Sequence, residues 1–521
     1  WKRISPDLTL NDKSHQGNSG GIAFDNLMTF DGDILYAIQE SPAQAGVIWT
    51  GSNDGQVNLT RNGGATWTNV TTNIPGLPPW GTVENIFPSK YDAGAAYLTV
   101  DFQMVGNYDP YVYKTTDFGQ SWTSIAGGIP HSVSSFAHFV LEDPVRKGML
   151  YLGTDNALYV SWDDGGHWTH LRNNLPPAPI YWLELEPRFN DLVIATHWRG
   201  IYILDDITAL RNYDGASQAA VNALLPARPA YRFRERGDTR YDDPNGVVAG
   251  ENPPYGAAIN YYLAAPSNAV TLTIAGADGK PVRTLRTRGQ KGLNRIWWDL
   301  RSEAPLAIRY QVSPPEEPWV AATRPFVDWT RMPAGPKVVP GSYNLALSVD
   351  GAAAGAQKLE VLADPNDLGT PATMASQRAF LLELQSEWND TAGMINHLER
   401  TRRQLEDARP LLRSGAAAAA ATLAQQAIAA EDQLVDIYLT GHTEDAFRHP
   451  MKLEGMIAQI ASQLDGTGAD LAPTAQQVAV NTLLVQRLAA AKQAFQAVTG
   501  AGTAAFNAAA KAAGVGLAIE P

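Results

Sequence analysis

Hydrophobic and polar positions change their rhythm twice along the 521-residue chain. From residue 1 to about 210, apolar and polar residues alternate in short runs broken by Gly, Asn and Asp, which predicts an all-β region. From about 222 to 364 the pattern is again strand-like but richer in Pro. There "VTLTIAGADGKPVRTL" reads as a hairpin turning on Asp278-Gly279, and "RIWWDL" and "GSYNLALSVDG" supply further strands. From about 370 to 521 the chain is rich in Ala, Leu and Gln. Leu381, Leu384, Trp388, Thr391, Ile395 and Leu398 recur at steps of three and four, the apolar seam of an amphipathic helix. Pro410, Gly415, "TGHTED" from Thr440, "DGTGAD" from Asp465 and Pro473 bound the helices of an antiparallel bundle. The expected fold class is mainly β with an α tail, in domains spanning 1–210, 222–364 and 370–521.

The first region repeats itself. "IWTGSNDGQVNLTRNGGATW" ends at Trp67, "YVYKTTDFGQSW" at Trp122 and "LYLGTDNALYVSWDDGGHW" at Trp168. Each is strand, turn, strand, turn, then a Trp opening a third strand. A period near 40–50 residues with several strands per unit predicts the blades of a β-propeller. The second turn follows S/T-x-D/N-x-G-x-x-W, with Asn62, Asp117 and Asp163 at the third position. The physics selects these residues. An Asx side chain accepts backbone N–H bonds of its own turn, Gly supplies positive φ, and Trp67, Trp122 and Trp168 pack between blades. "SWDDGGHW" at Ser161–Trp168 therefore reads as architecture rather than an acid/base site. Asp164 and His167 fall on its variable positions and are expected to be exposed.

"WKRISPDLTLND" alternates as the chain does after the other three tryptophans. Trp1 is thus expected to close a turn begun upstream, and the propeller to be incomplete in this chain. An N-terminal propeller segment, from the same parent or a separate fragment, is the expected partner that completes it.

The phrases "ISPDLT", "YAIQESP", "VIWTGSNDG", "YVYKTTDFGQSW", "EDPVRKGMLYLGT" and "LVIATHWRGIYILDD" resemble bacterial sortilin-like, BNR (Asp-box), WD40/YVTN-like β-propeller proteins, often labelled glycosyl hydrolases. "ENPPYGAAINYYL", "KGLNRIWWDLR" and "VVPGSYNLALSVDG" resemble the domain that follows in those proteins, here expected to be an Ig-like β-sandwich with a Pro-rich insertion. The resemblance implies a longer, exported bacterial parent, periplasmic or at the cell surface. Trp198 stands where the family has Gly in a phrase nearer "ATHGRG".

Aligning the blades puts Asn53, Asp101, Asp155 and His197 at one equivalent position, each after a strand and before a hairpin turn. Such a ring could bind a ligand, or simply form turns. Arg199, two residues from His197, could help hold an anion. "DFQMVGNYDPYVY" is an insertion whose Tyr108 and Asp109 offer a polar-aromatic surface for sugars or peptides. A glycoside hydrolase needs two facing carboxylates roughly 5–10 Å apart. Glu84, Asp101, Asp109, Glu142 and Asp143 are available, but their spacing does not pair them, and no sialidase-type arginine triad stands out. "SPPEEPWVAATRPFVDWTRMPAGP" (313–336) is expected to wrap the propeller or bind a partner.

Composition removes other classes. There is no cysteine, hence no disulfide or thiolate metal site. His442 and His449 flank a loop and are assigned no metal, and no cofactor is expected. The net charge is −13, and the most basic run, "RTLRTRGQKG", reads as a solvated hairpin face, so no nucleic-acid partner is expected. No apolar run is long enough to span a membrane. The leading expectation is an extracytoplasmic binding or assembly protein that engages a peptide, glycan or protein. A glycoside hydrolase-like enzyme using propeller-rim carboxylates, or a structural subunit of a surface complex, are the alternatives.

Overall fold

The computed structural model describes residues 1–15, 33–213, 221–233, 250–324, 334–438, 450–466 and 469–520. His442, His449 and residues 325–333 of the Pro-rich stretch lie outside them. The chain is mainly β, in small antiparallel sheets, with a helical C-terminal region. It divides into two compact units, Trp1–Ala219 and Ala220–Pro521.

The first unit holds four antiparallel meanders in chain order. They are β1 (Leu35–Glu40), β2 (Ile48–Ser52), β3 (Val57–Thr60) and β4 (Thr68–Asn69); β5 (Thr82–Pro88), β6 (Ala96–Phe102), β7 (Asn107–Thr115) and β8 (Thr123–Ser124); β9 (Ala137–Glu142), β10 (Leu150–Thr154), β11 (Leu158–Ser161) and β12 (Thr169–His170); and β13 (Ile180–Glu186), β14 (Asp191–Thr196) and β15 (Ile201–Leu204). Their first strands pack in succession, β1 on β5, β5 on β9 and β9 on β13. Apolar faces meet between sheets; Trp49, Val57, Ile86, Leu98 and Trp122 share one cluster.

The three Trp-terminated turns are built alike. The Asx Oδ1 accepts the backbone N–H four residues on, at 2.9 Å for Asn62, 2.9 Å for Asp117 and 2.8 Å for Asp163. The turn glycines Gly64, Gly119 and Gly165 have φ of +91°, +76° and +85°. A Cβ on each would meet Ile4, Val70 or Ile125, the residues three after Trp1, Trp67 and Trp122. One geometry therefore locks each turn onto the preceding repeat. Trp122 is buried, whereas Trp67 and Trp168 are half-buried and donate Nε1–H to the carbonyls of Ile4 (2.9 Å) and Ile125 (2.7 Å).

One expectation changes. Asp164 is not free at the surface. Its backbone is left-handed (φ 64°), and its carboxylate takes the Tyr97 hydroxyl (2.7 Å) and the Lys114 ammonium, tying the third sheet to the second. The Asp101–Tyr113 insertion is built into the second sheet. It lengthens the β6–β7 hairpin, with Phe102 paired to Asn107 across a short 3-10 turn that ends on Gly106 (φ 77°).

In the second unit, β16 (Ala223–Leu224), β18 (Ala257–Leu263) and β21 (Gly292–Trp298) form one sheet. A larger one runs β17 (Ala230–Arg232), β23 (Ala352–Ala363), β22 (Gly341–Val349), β19 (Ser267–Ala275), β20 (Pro281–Gly289), its β17–β23 pair parallel. Ile259, Tyr261 and Trp298 of one sheet share a core with Leu272, Leu345 and Leu359 of the other. Beyond the one-turn α1 (Thr208–Arg211) of the first unit, the long helices α2 (Pro371–Ala408), α3 (Ser414–Glu431), α4 (Leu453–Asp465) and α5 (Ala475–Ala497) share a second core, and all six residues of the predicted seam in α2 are buried. Among the described residues no helix is long and apolar enough to cross a membrane.

The described part of the Pro-rich stretch is held within its own unit. The extended chain before it lies along α2, where Leu306 and Arg309 N–H donate to Asn389 and Asn396 (both 2.7 Å) and Val312 N–H to Glu399 (2.9 Å). Arg402 reaches the Ser313 carbonyl, and Arg324 the carbonyl of Val312. Helical spacing of those side chains supplies the partners that an irregular, Pro-interrupted backbone cannot find in itself.

Candidate functional site

Each sheet of the first unit carries the same irregularity. On its first strand one extra residue interrupts the pairing: Tyr36 between Leu35 and Ala37, Glu84 between Val83 and Asn85, His138 between Ala137 and Phe139, and Tyr181 between Ile180 and Trp182. A bulge bends the strand and re-aims a side chain. Because these strands pack in succession, four re-aimed side chains come together. The His138 ring stacks on Tyr181 with centroids 4.0 Å apart.

The sequence provides for this approach. Gly51 and Gly153 pair with the residues just after the bulges of their sheets. A Cβ at Gly51 would lie 2.1 Å from Val83, and one at Gly153 2.6 Å from the Ile180 carbonyl, so only glycine lets the next strand seat. Thr99 holds the equivalent place in the second sheet and donates its hydroxyl to the His138 carbonyl (2.8 Å).

Asn53, Asp101, Asp155 and His197 form a second tier. The backbone N–H of Asn53, Asp155 and His197 donates to Ile34, Phe136 and Pro179, each two residues before a bulge (3.0, 3.1 and 2.9 Å). Asp101 pairs with Thr82, also two before its bulge. The alignment thus picked one structural position, though the four side chains differ in use. Asp155 faces His138 Nε2 at 3.3 Å. Asp101 accepts the Gln103 N–H (2.7 Å). Asn53 accepts the Ile34 N–H (3.0 Å) and secures its own turn. His197 is exposed, its ring 5.2 Å from Tyr181.

The electrostatics follow from this crowding. Burial, and then the Asp101 carboxylate, push Glu84 up to about 8. Burial raises Asp101 against the opposing Gln103 bond. The Glu84 charge, followed by burial, raises Tyr36; burial and then Glu84 push Tyr181 up to about 12. Near neutrality Glu84 therefore holds its proton. A carboxyl raised in the folded state stabilises fully below its ordinary value of 4.5 and loses that contribution as pH climbs through 8. Glu84→Gln should flatten this fall. Because Glu84 is half-buried and partly screened, we expect the stability difference between parent and variant to change by about 1–3 kcal/mol from pH 4.5 to 8, read by urea unfolding across that range.

Rings extend the cluster in both directions. Tyr108 meets Phe136 (6.1 Å), Phe136 meets His138 (5.1 Å), and beyond Tyr181 and His197 comes Trp198 (4.3 Å). Tyr108 and Trp198 are exposed, Trp198 at 87%. Trp198 also adopts φ 72°, an outlier for so bulky a residue. Asp109 turns instead to His131 (2.7 Å) at the surface, and Arg199 is exposed without an ion pair to any described residue.

No model of a known protein family matches the chain, and no curated protein matches it. Among solved structures, similarity is found to YCF48 from Cyanidioschyzon merolae at 18% identity over 33% of this chain and 52% of that one (TM-score 0.23). A structure of YCF48 bound to D1 peptide matches at 14% identity over 50% and 78% (TM-score 0.25). The GH74 xyloglucanase from Xanthomonas campestris matches at 13% over 67% and 40% (TM-score 0.25). The chain therefore spans about half the length of the first of these and less of the xyloglucanase.

Other acids named from sequence are committed elsewhere. Asp143 is wholly buried against Arg211, and Glu142 takes the Tyr97 hydroxyl (3.3 Å) and the Gly148 N–H (3.2 Å). Among the described residues no group of three or more His, Asp or Glu is placed to hold a metal ion. The sequence reading missed Tyr36, His138 and Tyr181 and left Glu84 unpaired. One signal was present: the bulge residues precede Asn53, Asp101, Asp155 and His197 by 17, 17, 17 and 16 positions.

Proposed function

We propose that the first unit is a run of Asp-box β-propeller blades of the sortilin-like kind, whose task is to bind a partner chain along the ladder of rings from Tyr108 to Trp198. The two-sheet region that follows is read as an Ig-like sandwich and the helices as an antiparallel bundle. The observation that carries the binding reading is Trp198, a large aromatic held out to solvent on a left-handed backbone. Folding alone would favour glycine there, since left-handed φ costs other residues about 1–2 kcal/mol. Backbone strain retained at an exposed aromatic points to a contact outside the fold.

Trp198→Gly separates the two roles. The variant should be as stable as the parent or more so, by about 0–1 kcal/mol once the extra freedom of unfolded glycine is counted. It should lose most of the affinity for whichever peptide or oligosaccharide the parent retains from mixed libraries, measured by titration calorimetry. Unchanged affinity together with lowered stability would make Trp198 a structural residue and sink the reading.

One observation favours hydrolysis as a second reading. Glu84 keeps its proton near neutrality beside a second carboxyl, Asp101, and glycosidases work with two carboxyl groups of which one is held protonated. Release of reducing sugar from soluble polysaccharides by the parent, abolished in Glu84→Gln, would establish it.

A further inference from the structure

The bulge cluster offers acceptors and rings but no cation of its own. Glu84, Asp101 and Asp155 form no ion pair with any described Lys or Arg; the imidazole of His138 faces Asp155. The His138 side chain is wholly buried in the cluster. If its Nε2–H donates to the Asp155 carboxylate, Nδ1 carries a lone pair and can only accept. That Nδ1 has no partner among the described residues, and an orphaned buried acceptor costs about as much as a lost hydrogen bond. Beside these acceptors lie Tyr36, half open to solvent and within reach of the Glu84 and Asp101 charges, and Tyr181, stacked on His138.

Three carboxyl groups, an unused imidazole lone pair and two phenol rings call for a ligand that donates hydrogen bonds, carries positive charge and tolerates aromatic walls. An ammonium or guanidinium meets all three needs. A neutral sugar hydroxyl would leave the carboxylates uncompensated, and an anion would be repelled. The net charge of −13 draws basic partners over a longer range.

We propose that the four bulges of the first unit form a receptor for the side chain of a lysine or arginine on a partner peptide, with Glu84, Asp101 and Asp155 as counter-charges, the His138 lone pair as acceptor and Tyr36 and Tyr181 as walls. The proposal rests on the binding reading above and names its ligand class. Arrival of a cation gives Glu84 a reason to ionise, so binding near pH 7 releases a proton.

The probes are hexalysine, hexaarginine and fully Nε-acetylated hexalysine, titrated into the whole chain at low and moderate salt in two buffers of different ionisation enthalpy. The cationic peptides should bind at least about tenfold more tightly than the acetylated one, more weakly as salt rises, and with proton release that disappears in Glu84→Gln. Asp101→Asn and Asp155→Asn, which keep side-chain shape, should each weaken the cationic peptides about tenfold. Equal binding of acetylated and free hexalysine, lost in Trp198→Gly, would overturn the cation receptor and leave the aromatic binding surface standing. Binding of the cationic peptides that both Asn variants leave unchanged would overturn it too. No binding by any of the three peptides would overturn it while oligosaccharides test the wider reading separately.

Discussion

Trp122→Ala should cost the first unit about 3–5 kcal/mol, the range for emptying a buried Trp site. Trp122 is 5% exposed and stands edge-on to Trp49, centroids 5.9 Å apart, within the cluster that joins the first and second sheets. Alanine there removes the wall of one sheet and strips Trp49 of its neighbour, and the strands on either side are already in contact and cannot collapse far. The comparison with its two counterparts is the sharper test. Trp67 and Trp168 occupy the same place in their turns but are half-buried, each held by one bond to a carbonyl. Losing such a bond costs about 1 kcal/mol, and less apolar area goes with it. Hydrogen exchange through β5–β8 measures local stability without assuming that the whole chain unfolds in one step. Equal losses at all three positions would show that the turn, and not the inter-sheet packing, sets the energy.

Arg211→Met should be as damaging, about 3–5 kcal/mol, for a different reason. Asp143 is fully buried, and Arg211 Nε lies 3.0 and 2.8 Å from its two oxygens. The carboxylate also accepts the N–H groups of Val145 and Arg146 (2.8 and 2.9 Å). Removing the guanidinium leaves a negative charge in the interior with those dipoles and the Tyr151 hydroxyl (3.3 Å) around it. A second substitution identifies the mechanism. Arg211→Met with Asp143→Asn, compared with Arg211→Met by urea unfolding, should recover part of the loss, since no charge then stays unpaired. No recovery would mean lost packing of the arginine stem instead.

What the chain's own sequence determined is local. The Asx-Gly-Trp turns come from the hydrogen-bonding reach of Asn62, Asp117 and Asp163 and from glycines at positive φ, and neither depends on distant residues. The seam of α2 follows from a repeat of three and four on a 3.6-residue helix. Even the tier of Asn53, Asp101, Asp155 and His197 could be read, because repeats of one backbone plan keep their register. Tertiary structure decided which side chains are spent and which are left to act. Glu142, Asp143 and Asp164 look like free acids along the chain, but the neighbouring sheet or loop supplies Tyr97, Arg211 and Lys114 to hold them. Tyr36, Glu84, His138 and Tyr181 look like ordinary strand positions. They meet because an extra residue in each first strand shifts the pleat, and that shift is fixed by the approach of the next sheet across Gly51, Thr99 and Gly153. A bulge is a property of two strands packed together, so one strand's alternation of polar and apolar residues cannot announce it.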